Sequence, residues 1–257
     1  HLFVGGNAQI LSVMADWTSW TGSATASSEL LDAAERAKAS LASAATLTIA
    51  KVQRSGASAE IDVTVENRTG HKFPTGYPSR RAWIHLRATQ NGKVVFESGR
   101  ADDYGRIVDA SGRALDDRDT VRLHLDKVDS DAQAQIYELV PGDASGKVAR
   151  SLLDASQVLK DDRLLPAGYL TTSPYAALVN PVGTSGDANF GSSDTVAYVF
   201  STSGAVHVDV ELLFQSERPS ELENLAAEPT LAARSFFDML QKRAAPIAMA
   251  TASTDVP

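Results

Sequence analysis

The side chains best suited to chemistry in this sequence are its five histidines, one of which stands two residues after a tryptophan. Trp83 and His85 lie in a stretch that alternates like a β-strand, so both side chains should point to the same face of a sheet. An imidazole beside an indole suits a metal site with an aromatic wall. A strand that buries its tryptophan and leaves the histidine at its edge gives the same pattern, so both interpretations stay open.

A second histidine, His71, lies in a segment dense in glycine and proline. Gly70 lets the backbone approach a bulky group closely, and Pro74 restricts the loop before folding. A rigid loop that presents one imidazole suits an axial ligand of a haem iron, although a structural turn would look the same. Because adjacent strand residues face opposite sides, only one of Arg80 and Arg81 can face a haem propionate, and we assign that role to Arg80.

His124 and His207 each fall between apolar residues of an alternating segment, on its polar face. His207 has Asp209 two residues further on, a spacing at which the two could share a metal or form an ion pair. Imidazoles gathered from separate strands suit copper better than calcium or magnesium. Solvated histidines would show the same pattern. Paired acids, by contrast, lie in turn-like contexts and are expected to be solvated: Asp102–Asp103, Asp116–Asp117 and Asp161–Asp162.

Composition excludes several classes of protein. The net charge of −8 argues against a nucleic-acid partner. The absence of cysteine excludes disulfides, thiolate zinc sites and a covalently attached c-type haem within this chain. There is no run of about 18 apolar residues, so we predict no membrane span. The sequence motifs of serine hydrolases, phosphate-binding loops and dinucleotide-binding folds are missing, and we predict that the chain is not an enzyme in its own right.

Hydrophobic periodicity predicts an all-β fold, an antiparallel β-sandwich with a few peripheral helices near the two termini. We expect a helical N-terminal segment over residues 1–45 that packs on a sandwich domain with a C-terminal helix over 46–243, followed by a flexible tail over 244–257. Asn7 is the expected N-cap of the first helix. Predicted strands cover 46–52, 59–66, 82–88, 94–97, 120–125, 135–140, 195–201 and 205–214, and predicted helices cover 29–43, 151–159 and a stretch from about 229.

The block Thr69–Trp83 resembles a segment from the C-terminal, haem-free region of exported bacterial multihaem c-type cytochromes. Further pieces similar to that family are His1–Asn7, Gln135–Glu138, Leu159–Pro166 and Val210–Ser216. The resemblance implies that His1 and His71 are axial ligands of haem c held by another chain or segment. It implies an accessory role in electron transfer, a haem-bearing cytochrome segment or subunit as partner, and a possible homo-oligomer or filament.

The sandwich region is also similar to the surface copper-binding proteins of methane-oxidising bacteria, in which copper sits on histidines beside a modified tryptophan in a Trp-x-His arrangement. Trp83-Ile84-His85 matches that arrangement, and His124 is our choice for the second histidine. The alternative function is therefore a copper-binding surface protein. A metal-free interaction domain is a third.

The chain begins at His1 without an initiator methionine or a basic and apolar leader. We therefore expect a processed protein or a fragment of one. We expect the protein to be exported to the periplasm, the cell surface or the extracellular space. A free N-terminal histidine would itself be a potential metal ligand.

Overall fold

The computed structural model describes residues 7–115, 119–170 and 172–257. The helices in these residues are α1 (Ala8–Asp16), α2 (Thr18–Thr21), α3 (Ser27–Ala42), α4 (Ala176–Val179), α5 (Pro219–Ala226) and α6 (Leu231–Gln241). The strands are β1 (Ala45–Ser55), β2 (Ser58–Asn67), β3 (Arg81–Gln90), β4 (Lys93–Ser98), β5 (Arg100–Ala101), β6 (Ile107–Val108), β7 (Lys127–Val128), β8 (Ile136–Gly142), β9 (Gln157–Asp161), β10 (Ser193–Ser201), β11 (Val206–Gln215) and β12 (Ile247–Val256).

Two sheets form the body of the fold, which confirms the all-β prediction. One has the strand order β1-β2-β10-β7. The other has the order β12-β11-β3-β8-β9, with β4 also paired to β3. Their pairings are antiparallel except for the short contact between β7 and β10, which is parallel.

The main core lies between the two sheets and follows the two-residue period of the strands. On β2 the buried residues include Ile61, Val63 and Val65, while the residues between them are partly exposed. Alternate residues of β3, among them Ile84 and Leu86, join the same core. The opposite face of β3 is also covered: there Trp83 packs in a second, smaller apolar cluster. The first half of β3 is therefore buried on both of its faces.

Helices α1, α3, α5 and α6 pack against one another, and α3 also contacts β12 of the second sheet. Small residues let α1 and α3 approach closely, with Ala8 against Ala34 and Ala37 in one cluster. The side chain of Asn7 accepts a hydrogen bond from the backbone N–H of Ile10, which confirms the predicted N-cap of α1. No helix in the described ranges is long and apolar enough to cross a membrane.

The predicted flexible tail over 244–257 is wrong. Residues Ile247–Val256 form β12, which pairs along β11 from Ile247 opposite Phe214 to Val256 opposite Val206. The sequence hides this strand because half of its residues are alanine or threonine, and only Met249 and Val256 are buried. Backbone pairing with β11, more than side-chain burial, therefore holds the C-terminal segment in place.

Two local predictions are also corrected. Residues 120–125 alternate in the sequence but form no strand, and an irregular segment there leads into β7. Residues 151–159 were predicted as a helix, but a turn there leads into β9. Helix α5, which the sequence analysis did not predict, starts with Pro219 in its first turn, a favoured position for proline.

Candidate functional site

The loop that carries His71 is organised by a buried asparagine at the end of β2. Asn67 Nδ2 donates to the backbone oxygens of His71 at 2.7 Å and Leu165 at 2.8 Å. Its Oδ1 accepts hydrogen bonds from the backbone N–H and the hydroxyl of Thr69. One side chain thus fixes both ends of the turn between residues 67 and 71, and leaves little freedom to the histidine that follows.

The same loop is fastened to the segment that follows β9. Phe73 and Leu164 exchange two backbone hydrogen bonds of 2.9 and 2.8 Å, and Lys72 Nζ lies 2.6 Å from the carboxylate of Asp161. Arg163 binds both oxygens of that carboxylate. Burial alone would raise the pKa of Asp161, but the hydrogen bonds from Arg163 and Lys72 outweigh it and lower the pKa. The aspartate therefore remains a charged anchor at neutral pH.

His71 is exposed, and its ring orientation is set by its own neighbours. Its Nδ1 lies 3.0 Å from the hydroxyl of Thr69 and 3.2 Å from the carbonyl oxygen of Lys72. A carbonyl oxygen can only accept, so Nδ1 carries the proton and the neutral ring keeps its lone pair on Nε2. Within the described ranges no group hydrogen bonds to Nε2. This is the tautomer in which an imidazole can bind a metal through Nε2.

His71 and Arg80 line one cavity of about 240 Å³ between the loop and α3. Its other lining residues are mainly apolar or small: Ala37, Ser40, Leu41, Ser43, Ala44, Thr69, Phe73, Pro74, Thr75 and Phe214. Arg80 Nη1 donates to the carbonyl of Thr75. Gly76 makes this possible, because its φ is 89° and a Cβ there would lie 2.7 Å from Arg80 Nη1.

The neighbouring arginine has a different role. Arg81 is buried, donates to Gln215 and to the carbonyl of Gly105, and lies over the ring of Trp83 at 5.0 Å. The two adjacent arginines thus differ as strand geometry requires, with Arg80 at the cavity and Arg81 inside the protein.

Trp83 and His85 share a face of β3, as predicted, but it is the face away from the core between the sheets. Trp83 is fully buried, and its Nε1 donates to the carbonyl of Gly99 at 2.8 Å. His85 lies between Glu211, 3.0 Å from Nδ1, and Glu97, 3.1 Å from Nε2. The indole is therefore part of the structure's interior, and the imidazole is held by two carboxylates.

His124 lies elsewhere, in a polar network at the edge of the core between the sheets. Its side chain is 3% exposed, with Asp162 at 3.2 Å from Nδ1 and Asp187 at 3.0 Å from Nε2. Tyr137, a member of the inter-sheet core, donates to Asp194 in the same network. His124 and His85 share no partner and lie on opposite sides of the second sheet. Trp83, His85 and His124 therefore do not form the single copper site that the sequence analysis proposed.

The network around His124 was missed by the sequence analysis, which expected Asp161 and Asp162 to be solvated. Both are buried, and Asp162 accepts the backbone N–H of Glu138 at 2.9 Å. Lys160 is buried too, with its Nζ 3.2 Å from Asp162 and 3.4 Å from Glu138. The signal was present in Lys160-Asp161-Asp162-Arg163, where opposite charges flank the acids. Asp102, in contrast, stays partly exposed and accepts the backbone N–H groups of its own turn.

Burial and nearby charges shift the pKa values of the acids in this network in opposite directions. Burial would raise the pKa of Glu138, but Lys160, Arg218 and Arg81 lower it below its usual value. Burial dominates at Asp194 and raises its pKa to about 7 despite the hydrogen bond from Tyr137. Burial also lowers the pKa of His124, but its hydrogen bonds to Asp162 and Asp187 outweigh this and raise it.

The two remaining histidines are His207 and His1. His207 is exposed on β11 and pairs with Asp255 at 2.7 Å and Asp209 at 3.2 Å, the surface ion pair that the sequence allowed as an alternative to a metal site. His1, predicted as an axial ligand, and the acids Asp116 and Asp117 lie outside the described residues.

Among solved structures, this chain is similar to a penta-heme cytochrome c552 from Thermochromatium tepidum, with a TM-score of 0.52 and 18% sequence identity. The match covers 85% of this chain and 41% of the cytochrome, so the chain spans less than half of that protein's length. The likeness shows a shared fold. No protein-family model matches the chain, and no curated protein matches it.

Proposed function

We propose that this chain is the haem-free β-sandwich part of an exported electron-transfer haem protein, in which His71 Nε2 is an axial ligand of a haem carried by another segment or subunit. The observation that carries the proposal is the state of the His71 ring. Its Nδ1 lies within hydrogen-bonding distance of the carbonyl oxygen of Lys72, none of the described residues hydrogen bonds to Nε2, and His71 lines a cavity. The fold that the chain shares with part of a penta-heme cytochrome supports the same reading.

The residues around the ring fit a haem edge. Phe73 and Pro74 supply apolar surface beside the imidazole, and Arg80 brings a positive charge to the same cavity. A propionate is a suitable partner for that guanidinium. Because the chain has no cysteine, the haem must be attached to another polypeptide segment. When bound, the haem would supply one-electron transfer, while this chain would hold the ligand in place.

The ligand role can be tested with a haem c peptide whose second axial position is open. Titration with the full chain should convert the haem to the low-spin spectrum of a six-coordinate bis-imidazole complex. His71→Ala should weaken binding at least about tenfold, which is 1.4 kcal/mol. Arg80→Gln should weaken it a few-fold and leave the spectrum of the complex unchanged, because the arginine contacts the porphyrin's substituents and not the iron.

His207→Ala is the matched control, since His207 is also exposed but both its ring nitrogens face carboxylates. This variant should bind the haem peptide like the wild type. Equal binding by His71→Ala and the wild type would remove His71 from the site and overturn the proposal. His1→Ala tests the other predicted ligand in the same titration. In the native assembly, His71→Ala should also shift the midpoint potential of one haem.

We propose that the chain itself has no catalytic activity. We also propose that it is located in the periplasm or at the cell surface, as the resemblance to exported cytochromes implies. Fractionation of the source cells tests the location. A protein purified from that source with neither a Soret band nor bound iron would favour the metal-free interaction domain instead.

A further inference from the structure

A second group of potential ligands lies away from the His71 cavity. His124, Asp187 and Asp194 each place one ligand atom within 4.8 Å of the others. His124 Nε2 is 3.0 Å from Asp187 Oδ2 and 3.9 Å from Asp194 Oδ2. The three side chains are 3%, 3% and 0% exposed. Their side chains are therefore close together and almost wholly shielded from solvent, although His124 and Asp187 as whole residues are only partly buried.

One oxygen in this group lacks a partner. Asp194 is fully buried, and its Oδ1 has no hydrogen-bond donor among the described residues. One carboxylate oxygen of Asp187 and one of Asp194 lie within 4.8 Å of each other. Ionised carboxylates only accept hydrogen bonds, so two that face each other need a positive charge between them. A proton or a metal cation can supply it.

We propose that His124, Asp187 and Asp194 bind a divalent first-row metal ion of the Zn²⁺ type. One imidazole and two carboxylates form a ligand set that zinc accepts. Calcium and magnesium prefer oxygen ligands alone, so the histidine argues against them. The site is formed entirely by this chain.

The groups behind the ligands are those expected for such a site. Asp162 lies 3.2 Å from Nδ1 of His124, the position of the carboxylate that orients a metal-bound histidine. Tyr137 donates to Asp194 Oδ2 at 2.8 Å and holds that carboxylate in place. Phe190 packs edge-on against the imidazole, with 5.1 Å between ring centroids.

The metal would tie three separate pieces of chain together. His124 lies in the irregular segment before β7, Asp194 lies at the start of β10, and Asp187 lies in the loop that precedes β10. The contact between β7 and β10 is only two residues long on each side. A cation at this point would therefore fasten a weakly paired edge of the first sheet and the loop beside it.

The competing occupant is a proton. An imidazolium at His124 would donate to Asp162 and Asp187 at once, and a proton on Asp194 would join it to Asp187. That arrangement needs no metal. It predicts no specific binding of Zn²⁺, so a binding experiment separates the two.

The full chain is stripped of metal with a chelator and titrated with Zn²⁺ alone by calorimetry. The wild type should bind one ion at this site and unfold at a higher temperature when it is loaded. Asp187→Asn keeps the shape of the side chain and should weaken binding at least about tenfold, the lower end of what even an outer-shell partner contributes. Asp194→Asn is a second variant with the same expectation.

Asp209→Asn is the matched control, because it removes an acid beside the exposed His207 and tests for zinc bound at the surface. This control should bind Zn²⁺ like the wild type. The proposal is overturned if Asp187→Asn and Asp194→Asn bind like the wild type, or if the wild type shows no stoichiometric binding. X-ray absorption of the loaded wild type should show one nitrogen and at least two oxygens at about 2.0–2.2 Å. More than one imidazole in that shell would also overturn it. Neither measurement involves haem, so the outcome is independent of the function proposed for His71.

Discussion

His71 and His124 are both held by hydrogen bonds, but these reach one ring nitrogen at His71 and both at His124. His71 is exposed and keeps Nε2 free for a ligand from outside the chain. The His124 side chain is almost wholly shielded from solvent, and its partners are the acids Asp162 and Asp187 and the amide of Gln135, all from the same chain. Under the two proposals, the histidines would serve different purposes. The first suits contact with a partner, whereas the second can hold together the chain that contains it.

Substitutions at the two sites should differ most in how much they lower the free energy of unfolding, and the largest loss is expected in the network around His124. Asp162→Ala would remove a buried carboxylate and leave Lys160 and the backbone N–H of Glu138 without one of their partners. Loss of one member of a buried charged network costs about 3–5 kcal/mol. Urea unfolding of the variant should show this loss. A cost under about 1 kcal/mol would mean that the network contributes little.

Acid should weaken the fold through the same network. The folded-state pKa of Glu138 is lowered by Lys160, Arg218 and Arg81, so its ionised form stabilises the folded state. This contribution is present above the ordinary glutamate pKa and is lost as the pH falls through the lower, folded-state value. Glu138→Gln should therefore show a weaker dependence of unfolding free energy on pH in that acidic range than the wild type. An unchanged slope would contradict the assignment.

A smaller effect is expected at Tyr137. Tyr137→Phe removes the hydroxyl that donates to Asp194 and leaves a buried carboxylate oxygen without its donor. Such a loss costs about 1–3 kcal/mol. Denaturant unfolding measures it, and Tyr104→Phe, at an exposed tyrosine, serves as the control. Equal stability of the Tyr137 and Tyr104 variants would show that the hydroxyl does not support Asp194.

The smallest effect on stability is expected at the first site. His71→Ala changes an exposed side chain and should alter the free energy of unfolding by no more than about 0.5 kcal/mol. The same variant should lose binding of the haem peptide. A variant that loses several kcal/mol of stability would make His71 a structural residue, and the contrast with His124 would disappear.

The alternation of apolar residues predicted the strands that bury one regular face, such as β2 and β11, because that pattern needs only local information. It failed at 120–125, where the same alternation belongs to an irregular segment that leads into β7. It also failed at β12, which is stabilised by backbone pairing to β11 and shows few apolar residues. Pairing with a distant strand is not recorded in a segment's own composition.

For the sites, the sequence by itself indicated a rigid loop around His71 with an arginine nearby, since the prolines of the loop restrict the backbone locally. It also excluded a haem attached within this chain, since there is no cysteine. Only the tertiary structure decided which nitrogen of His71 is free and that Trp83 is enclosed. It alone brought His124, Asp187 and Asp194 together from three segments. Convergence of this kind depends on strand order and on the path of loops, which no local spacing of residues specifies.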